Sequence, residues 1–268
     1  MDQVREVAFT AARTAGAILK ERLGKIKNID YKSAFNIVTD VDKQSEREII
    51  AIINKHFPDD KILAEETGAH AASSTRRWLI DPLDGTTNYA HSYPFFCVSI
   101  GFEDAGEPLL GVVYNPISDE LFWAQKGKGA YLNEQSIHVS TSKTLSTSLC
   151  ATGFPPDSAN TRLNNLTQFA NVTALTHGVR RDGSAALDLS FVACGRLDGF
   201  WEMKLAPWDL AAGTVIVREA GGKVTNLTGG TFDITTGHVL ATNALIHDEL
   251  VDALAFHQIL NLPEEVNR

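Results

Sequence analysis

The stretch that decides the fold reads Trp78-Leu-Ile-Asp-Pro-Leu-Asp-Gly-Thr-Thr-Asn88. Its three leading apolar residues predict a short buried strand with Asp81 at its end, where Pro82 stiffens the exit of the chain. Asp84 follows three residues later, and Gly85 with the two threonines is typical of a helix start. The free N–H groups of a helix start bind anions, and a glycine lets a phosphate approach the backbone. The stretch therefore predicts two carboxylates beside a phosphate site.

Two carboxylates beside a phosphate require cations between them, because the like charges would otherwise repel the ligand. Mg²⁺ prefers carboxylate and water oxygens together with a phosphate partner. The simpler explanation is that Asp84 only caps the following helix, which is a common use of aspartate. This stretch by itself leaves both explanations open.

Further acids follow apolar segments elsewhere in the chain. Glu65 and Glu66 directly follow the predicted strand Ile62-Leu-Ala64. Asp209 follows Pro207-Trp208 and opens a predicted helix of small residues. Taken singly, the glutamates could lie in an exposed loop and Asp209 could be a helix N-cap. Because a buried unpaired carboxylate is costly, this recurrence of acids favours one shared, carboxylate-rich metal site.

The hydrophobic pattern alternates between helices and strands. Helical spacing over residues 4–19 ends at Gly24, and Thr39-Asp-Val-Asp42 fits a capping box that opens a second helix. Short strands with turn residues over 95–139 predict an antiparallel meander. Further predicted elements are helices at 184–194, 208–220 and 246–260 and a strand at 238–244. The pattern predicts a layered α+β fold in one domain, 1–268, with sub-halves of about 1–145 and 146–268.

Composition and missing motifs exclude several function classes. The net charge of −9 repels nucleic acid and anionic membranes. The sequence has no apolar run near the ~20 residues of a membrane span, and its N-terminus is unlike a signal peptide. Its three cysteines form no CxxC pair, and no P-loop, GxSxG motif or metal-type histidine spacing occurs. We expect a cytoplasmic enzyme for a small anionic substrate, with no nucleic-acid or membrane partner.

Two segments resemble the paired signatures of the inositol monophosphatase family: DPLDGTTN at 81–88 and WDLAAGTVIVREAGG at 208–222. Supporting stretches are Ala64-Glu-Glu66, Asn36-Ile-Val-Thr-Asp-Val-Asp42, Gly183-Ser-Ala185 and Trp201-Glu-Met-Lys-Leu-Ala-Pro-Trp208. The resemblance runs in order from about residue 5 to residue 255. Both signatures, in order and at the right spacing, are very specific.

The resemblance implies a layered αβαβα sandwich of the inositol monophosphatase and fructose bisphosphatase type, usually a homodimer, with two to three Mg²⁺ ions per subunit. Matched by position, the implied metal ligands are Glu65, Asp81, the carbonyl of Leu83, Asp84 and Asp209. The implied catalytic residues are Thr86, Asp42 and Glu65, with Thr86, assisted by Asp42, deprotonating the attacking water. The implied substrate contacts are Asp84, Gly85, Thr86, Gly183, Ser184, Ala185, Glu202 and Asp209.

Several of these positions also have simpler explanations. Asp42 could only cap its helix, and Glu202 could be a surface acid at a strand end. Lys32 matches a basic position near the site in relatives but could be an ordinary surface lysine. The pair Arg180-Arg181 could steer phosphate or lie at a dimer contact, and Ser184 could simply open its helix.

The resemblance implies hydrolysis of a small polyol phosphate, myo-inositol 1-phosphate, by metal-activated water, with sensitivity to lithium. Gly85-Thr-Thr-Asn88 fits the inositol branch better than the Ser-Ser of fructose bisphosphatases or the Lys after Thr of bisphosphate nucleotidases. Fructose 1,6-bisphosphate, histidinol phosphate and a nucleotide phosphate stay open as substrates. A metal-dependent regulatory or binding protein is the alternative from another class. A protein that had lost its activity would lack some of the expected ligand residues, but every one of them is present, so this alternative has no support from the sequence.

Overall fold

The structure, a computed structural model, describes residues 1–25, 29–33, 36–70 and 72–255, with the backbone alone at 29–33 and 36–37. The side chain of Lys32 and the end of the predicted closing helix, 256–260, lie outside the described part. The helices are α1 (Asp2–Arg22), α2 (Asp40–His56), α3 (Thr86–Ala90), α4 (Leu166–Leu175), α5 (Ala185–Ala193), α6 (Pro207–Glu219) and α7 (His247–Ala255). The strands are β1 (Ile29–Ser33), β2 (Asn36–Thr39), β3 (Lys61–Ala64), β4 (Gly68–His70), β5 (Arg76–Asp84), β6 (Cys97–Asp104), β7 (Glu107–Asn115), β8 (Glu120–Gln125), β9 (Ala130–Leu132), β10 (Gln135–Ile137), β11 (Leu149–Thr152), β12 (Gly178–Arg180), β13 (Gly199–Glu202), β14 (Lys223–Thr225) and β15 (Val239–Thr242).

The larger sheet has eight strands in the order β10-β9-β8-β7-β6-β5-β3-β4. Strands β6 to β10 pair antiparallel with their chain neighbours, which confirms the predicted meander. Strands β3 and β5 run parallel, with Ala64 opposite Ile80. Glu65 and Asp81 directly follow this pair in the same chain direction, so they lie side by side.

The pairing of β5 with β6 contains a bulge at the acids. Asp81 lies opposite Ser99 and Asp84 opposite Cys97, so β5 has one residue more than β6 between these pairs. Residues three apart on a regular strand point to opposite faces, and one extra residue reverses that alternation. Asp81 and Asp84 therefore both line the same cleft.

Helix α6 lies directly on the larger sheet, against β6 and β7. A Cβ on Gly101 would lie 2.5 Å from Ala211 Cβ, and a Cβ on Gly111 would lie 2.2 Å from the Ala212 carbonyl oxygen. Larger side chains here would force the helix away from the sheet, because the interface is close-packed. The small residues of this helix therefore let its first turn, with Asp209, reach the cleft at the end of β5.

The smaller sheet has five strands in the order β12-β11-β13-β15-β14. Helices α5 and α6 lie between the two sheets, while α1 with α2 and α4 with α7 cover the outer faces. Three apolar clusters fill the interfaces between these layers, and each contains a fully buried large aromatic side chain: Trp78, Phe200 and Trp201. The order α-β-α-β-α confirms the expected layered sandwich.

The predicted helix starts hold to within a residue, since α5 begins at Ala185 and α6 at Pro207. The strands of the larger sheet end at Ile137 and those of the smaller sheet begin at Leu149, on either side of the predicted boundary. Helix α6 from the second half packs on the first sheet, and the division of one domain into two sub-halves stays a prediction. In the described residues, no helix is both long and apolar enough to cross a membrane.

Candidate active site

The acids that follow β3 and β5 line a cleft of about 210 Å³. Its wall combines strand ends, the N-terminal ends of α3, α5 and α6, and the loop after β11. The lining residues are Glu65, Asp81, Leu83, Asp84, Gly85, Thr86, Thr87, Gly153, Pro156, Arg181, Gly183, Ala185, Glu202, Leu205 and Asp209. Five of them are carboxylic acids, and Arg181 is the one cationic side chain among them in the part of the chain that the structure describes. A phosphate dianion would meet strong repulsion here without added positive charge.

Asp81 and Asp209 are oriented by backbone donors. The Leu83 N–H donates to Asp81 Oδ1 at 2.9 Å. The Ala206 N–H donates to Asp209 Oδ2 at 2.7 Å, so Asp209 caps its own helix from inside the first turn and is not the N-cap residue. The capping and the cleft position of Asp209 therefore coexist.

Asp84 is held by the start of α5, about one hundred residues along the chain. Its Oδ2 accepts a hydrogen bond from the Ser184 hydroxyl and another from the Ala186 N–H, both at 2.7 Å. The N-cap position of α3 is occupied by Gly85 with φ of 99°, so helix capping does not account for Asp84. Ser184 is buried, and its hydroxyl contacts Asp84 from behind the cleft.

Burial and mutual repulsion raise the pKa values of these acids. Burial, followed by the charge of Glu65, raises the pKa of Asp81 well above its usual range. Burial and then the charge of Asp84 raise the pKa of Asp209 to about 8. Burial also raises the pKa of Asp84 to about 6, against the hydrogen bonds from α5. Such a group of acids is fully ionised at neutral pH only when positive charge is added beside it.

The donor set suits a hard divalent cation. Carboxylate oxygens and a backbone carbonyl are the ligands that Mg²⁺ prefers, and Glu65, Asp81, Leu83, Asp84 and Asp209 all line the cleft. Within the described ranges, no three acidic, histidine or cysteine side chains converge tightly enough to enclose an ion in this conformation. The charges of these acids nevertheless raise one another's pKa, so the carboxyl groups are near neighbours.

Asp42 caps its helix and also contacts Thr86. Its Oδ2 accepts hydrogen bonds from the Thr39 N–H at 2.9 Å and the Thr39 hydroxyl at 2.5 Å, which completes the predicted capping box of α2. Its Oδ1 accepts a hydrogen bond from the Thr86 hydroxyl at 3.0 Å. Asp42 is fully buried, whereas Thr86 lines the cleft. The structure thus brings together the two residues paired by the resemblance.

Glu202, at the end of β13, lines the cleft and is half-buried. Burial and then the charge of Asp209 raise the pKa of Glu202 to about 8, and the charge of Arg181 opposes this. Arg181 is exposed and lines the cleft, which favours the phosphate-steering explanation for that arginine. In the described part of the chain, the Glu202 carboxylate makes no side-chain hydrogen bond to protein, so it is available to a ligand.

The sequence profile of the inositol monophosphatase family matches residues 1–258. The chain belongs to the inositol monophosphatase family. As a member of that family it is a phosphatase, and the family is metal-dependent, in agreement with the acid-rich cleft.

Named relatives agree with this membership. The chain is 51% identical to the inositol-1-monophosphatase of Synechocystis sp. over 252 residues, which are 93% of this chain and 88% of that relative. It is 43% identical to the fructose-1,6-bisphosphatase/inositol-1-monophosphatase of Aquifex aeolicus over 245 residues, or 91% and 92% of the two chains. The solved structure of an inositol monophosphatase from Anabaena superposes with a TM-score of 0.87 at 48% identity, covering 94% of this chain and 95% of that one.

Most of the positions matched by resemblance line the cleft. Asp42 and Ser184 do not, and each instead contacts a lining residue from behind. Sequence reasoning missed Thr87, Gly153, Pro156 and Leu205 as lining residues. Thr87 lies inside the first signature and could have been included, whereas Gly153 and Pro156 belong to a loop outside both signatures.

Proposed function

We propose that this phosphatase is a Mg²⁺-dependent phosphomonoesterase that hydrolyses myo-inositol 1-phosphate and related polyol phosphates. The observation that supports this most is the meeting of five carboxyl groups, the N-terminal ends of α3 and α5, and the hydrogen-bonded Asp42–Thr86 pair at one cleft. The carboxyl groups suit cations, the helix N-termini suit phosphate, and the Asp42–Thr86 pair suits a water molecule.

The residues that would hold the ions are Glu65, Asp81, the Leu83 carbonyl, Asp84 and Asp209, all of which line the cleft. When bound, Mg²⁺ would neutralise phosphate charge, activate water and stabilise the leaving oxygen. We expect two to three ions per subunit, from the resemblance. The backbone and hydroxyl donors on Asp81, Asp84 and Asp209 hold these carboxylates in place, as is usual for ligating carboxylates.

Thr86 orients the attacking water in this proposal. Its hydroxyl proton is directed to Asp42 Oδ1 or to the Leu83 carbonyl, each at 3.0 Å. The hydroxyl oxygen can therefore accept a hydrogen bond from a water molecule in the cleft, and it can take the proton of that water as its own proton passes to Asp42 Oδ1. Asp42 is shielded from solvent and serves as the acceptor behind the threonine. Such a positioned proton acceptor typically contributes about 10²–10⁴-fold in rate.

Phosphate and polyol are bound by different elements. The N–H groups at Gly85 and Thr86 begin α3, and those at Gly183 and Ala185 lie at the start of α5, so both helix starts present donors to an anion or a hydroxyl. Glu202 accepts hydrogen bonds from polyol hydroxyls, because its carboxylate lines the cleft without a protein donor in the described residues. The homodimer, the cytoplasmic location and lithium sensitivity are further expectations from the resemblance.

Fructose 1,6-bisphosphate is the second candidate substrate, because the name of the Aquifex relative includes both activities. The test is phosphate release by the purified full chain from inositol 1-phosphate, fructose 1,6-bisphosphate, histidinol phosphate and adenosine 2′-phosphate, with Mg²⁺ and with excess EDTA. We expect Mg²⁺-dependent release with the highest kcat/KM for inositol 1-phosphate. Metal-independent turnover, or a higher kcat/KM for another of these substrates, would contradict the proposal. Absence of turnover on every substrate would favour a binding protein.

A further inference from the structure

The position of Glu202 depends on the backbone of a neighbouring strand. Strands β11 and β13 run parallel with Thr152 opposite Trp201. The next residues along the two strands are Gly153 and Glu202, which extend this register by one position. Paired residues of adjacent strands point to the same face, so a side chain at 153 would occupy the same side of the sheet as the glutamate.

The Glu202 carboxylate fills the space that a side chain at 153 would need. A Cβ on Gly153 would lie 2.1 Å from Oε1, 2.3 Å from Cδ and 2.3 Å from Oε2 of Glu202. A methyl group would have to displace the carboxylate by about 1 Å. The obstructing atoms are the end of a flexible side chain and not backbone, so the fold can accept the methyl while the carboxylate cannot keep its place.

A buried polar network holds this glycine in position. Asn165, at φ of 66° and fully buried, donates from Nδ2 to the Gly153 carbonyl at 2.6 Å and to Thr152 Oγ1 at 2.7 Å. The Trp201 indole N–H donates to Asn165 Oδ1 at 2.7 Å, and Thr152 Oγ1 donates to the Trp201 carbonyl at 2.5 Å. One amide therefore ties the end of β11 to the residue that precedes Glu202. Fully satisfied buried networks of this kind rigidify the backbone around them.

We propose that Gly153, clamped by Asn165, is a specificity-determining position of this phosphatase: it leaves room for the Glu202 carboxylate and sets where that carboxylate meets a polyol hydroxyl. Both residues are positioning residues, since they act through Glu202. The inference rests on the proposed function, in which the Glu202 carboxylate accepts hydrogen bonds from the polyol hydroxyls. Binding groups must be placed within about 0.5 Å to work, and a displacement of about 1 Å exceeds that tolerance.

The first test is Gly153→Ala in the full chain with saturating Mg²⁺. The measured quantity is the selectivity, defined as kcat/KM for inositol 1-phosphate divided by kcat/KM for p-nitrophenyl phosphate, which offers no hydroxyls. Losing a hydrogen bond to a charged group corresponds to about a ten-fold or larger fall in selectivity. Gly178→Ala is the matched control, because this glycine lies in β12 and a Cβ there meets only the end of the Arg180 side chain, at 3.2 Å, and Leu149 at 3.9 Å. It should leave the selectivity at the wild-type value.

A double-mutant cycle tests whether Gly153 acts through the glutamate. Glu202→Ala should lower the selectivity about ten-fold or more, and adding Gly153→Ala to it should lower it no further. The proposal would be overturned if the double variant lost selectivity by the product of the two single losses. Unchanged selectivity in Gly153→Ala would also overturn it. In either case, a loss in Glu202→Ala alone would leave the proposed function standing. Unchanged selectivity in Glu202→Ala would instead show that Glu202 does not bind the polyol hydroxyls, and the inference about Gly153 would then be wrong as well.

Asn165→Asp provides an independent test if Gly153→Ala fails to fold, as judged by its thermal melting curve. Aspartate tolerates the left-handed backbone at this position and can still accept from the Trp201 indole, but it cannot donate to the Gly153 carbonyl. We expect a fall in selectivity of about three-fold or more, again absent in the Glu202→Ala background. If Asn165→Asp kept the wild-type selectivity while Glu202→Ala lost it, the inference that Asn165 holds Gly153 in position would be wrong.

Discussion

Removing the Thr86 hydroxyl should separate a catalytic role from a structural one. The hydroxyl has one proton and two acceptors at 3.0 Å, Asp42 Oδ1 and the Leu83 carbonyl, so it satisfies one of them at a time. Thr86→Ala therefore removes one hydrogen bond at a half-buried site, and the free energy of unfolding should fall by only about 1 kcal/mol. If the hydroxyl also positions the attacking water, kcat should fall by about 10²–10⁴-fold, which is an increase of roughly 3–5 kcal/mol in the activation free energy.

The assay is steady-state phosphate release at saturating Mg²⁺, with thermal unfolding of the same samples. Thr86→Ser is the matched control, because it keeps the hydroxyl and should retain most of kcat. Asp42→Asn can still accept a hydrogen bond from the Thr39 N–H, but its amide loses one acceptor oxygen, so kcat should fall here too. The double variant should be little worse than either single variant, since the two residues act as a unit. A kcat for Thr86→Ala within about three-fold of wild type, together with a lowered melting temperature, would refute the catalytic role.

Three further predictions concern the metal site and a buried histidine. Asp81→Asn and Asp209→Asn should each abolish Mg²⁺-dependent turnover while the circular dichroism spectrum stays native, and wild-type-like activity of either variant at saturating Mg²⁺ would exclude it as a ligand. Lithium and excess Mg²⁺ should both inhibit steady-state phosphate release by slowing product release, and purely competitive inhibition by lithium would contradict that mechanism. His247 is buried between the hydroxyls of Thr225 and Thr242, and its pKa is lowered by burial to about 4. Above about pH 6.5 both folded and unfolded states carry a neutral imidazole, and as the pH falls towards 4 the unfolded state binds the proton first, so stability is lost. Between pH 7.5 and pH 5, the free energy of unfolding measured with urea should fall by about 2 kcal/mol more for wild type than for His247→Gln. Equal falls for the two proteins would contradict the assignment.

Much of the acid constellation could be read from the sequence, because its signals are local. An apolar strand that ends in an acid, a capping box at Thr39 and a small-residue helix headed by Asp209 are each written within a few neighbouring residues. The alternation of strand and turn residues likewise predicted the antiparallel meander of β6 to β10. Local propensity and hydrophobic period act over such short spans, so they need no knowledge of the partner segments.

The tertiary structure alone decided which segments meet. The bulge between Asp81 and Asp84 depends on the pairing of β5 with β6, and Asp42 Oδ1 reaches the Thr86 hydroxyl only because the first turns of α2 and α3 meet. Gly153 lies beneath Glu202 because β11 and β13 pair in parallel, with a register that no residue near either position announces. Register and the docking of layers are fixed by long-range packing, in which many weak contacts must be satisfied together. Local sequence patterns thus identified the acids that line the cleft, and the packing of the layers decided which side chain supports which.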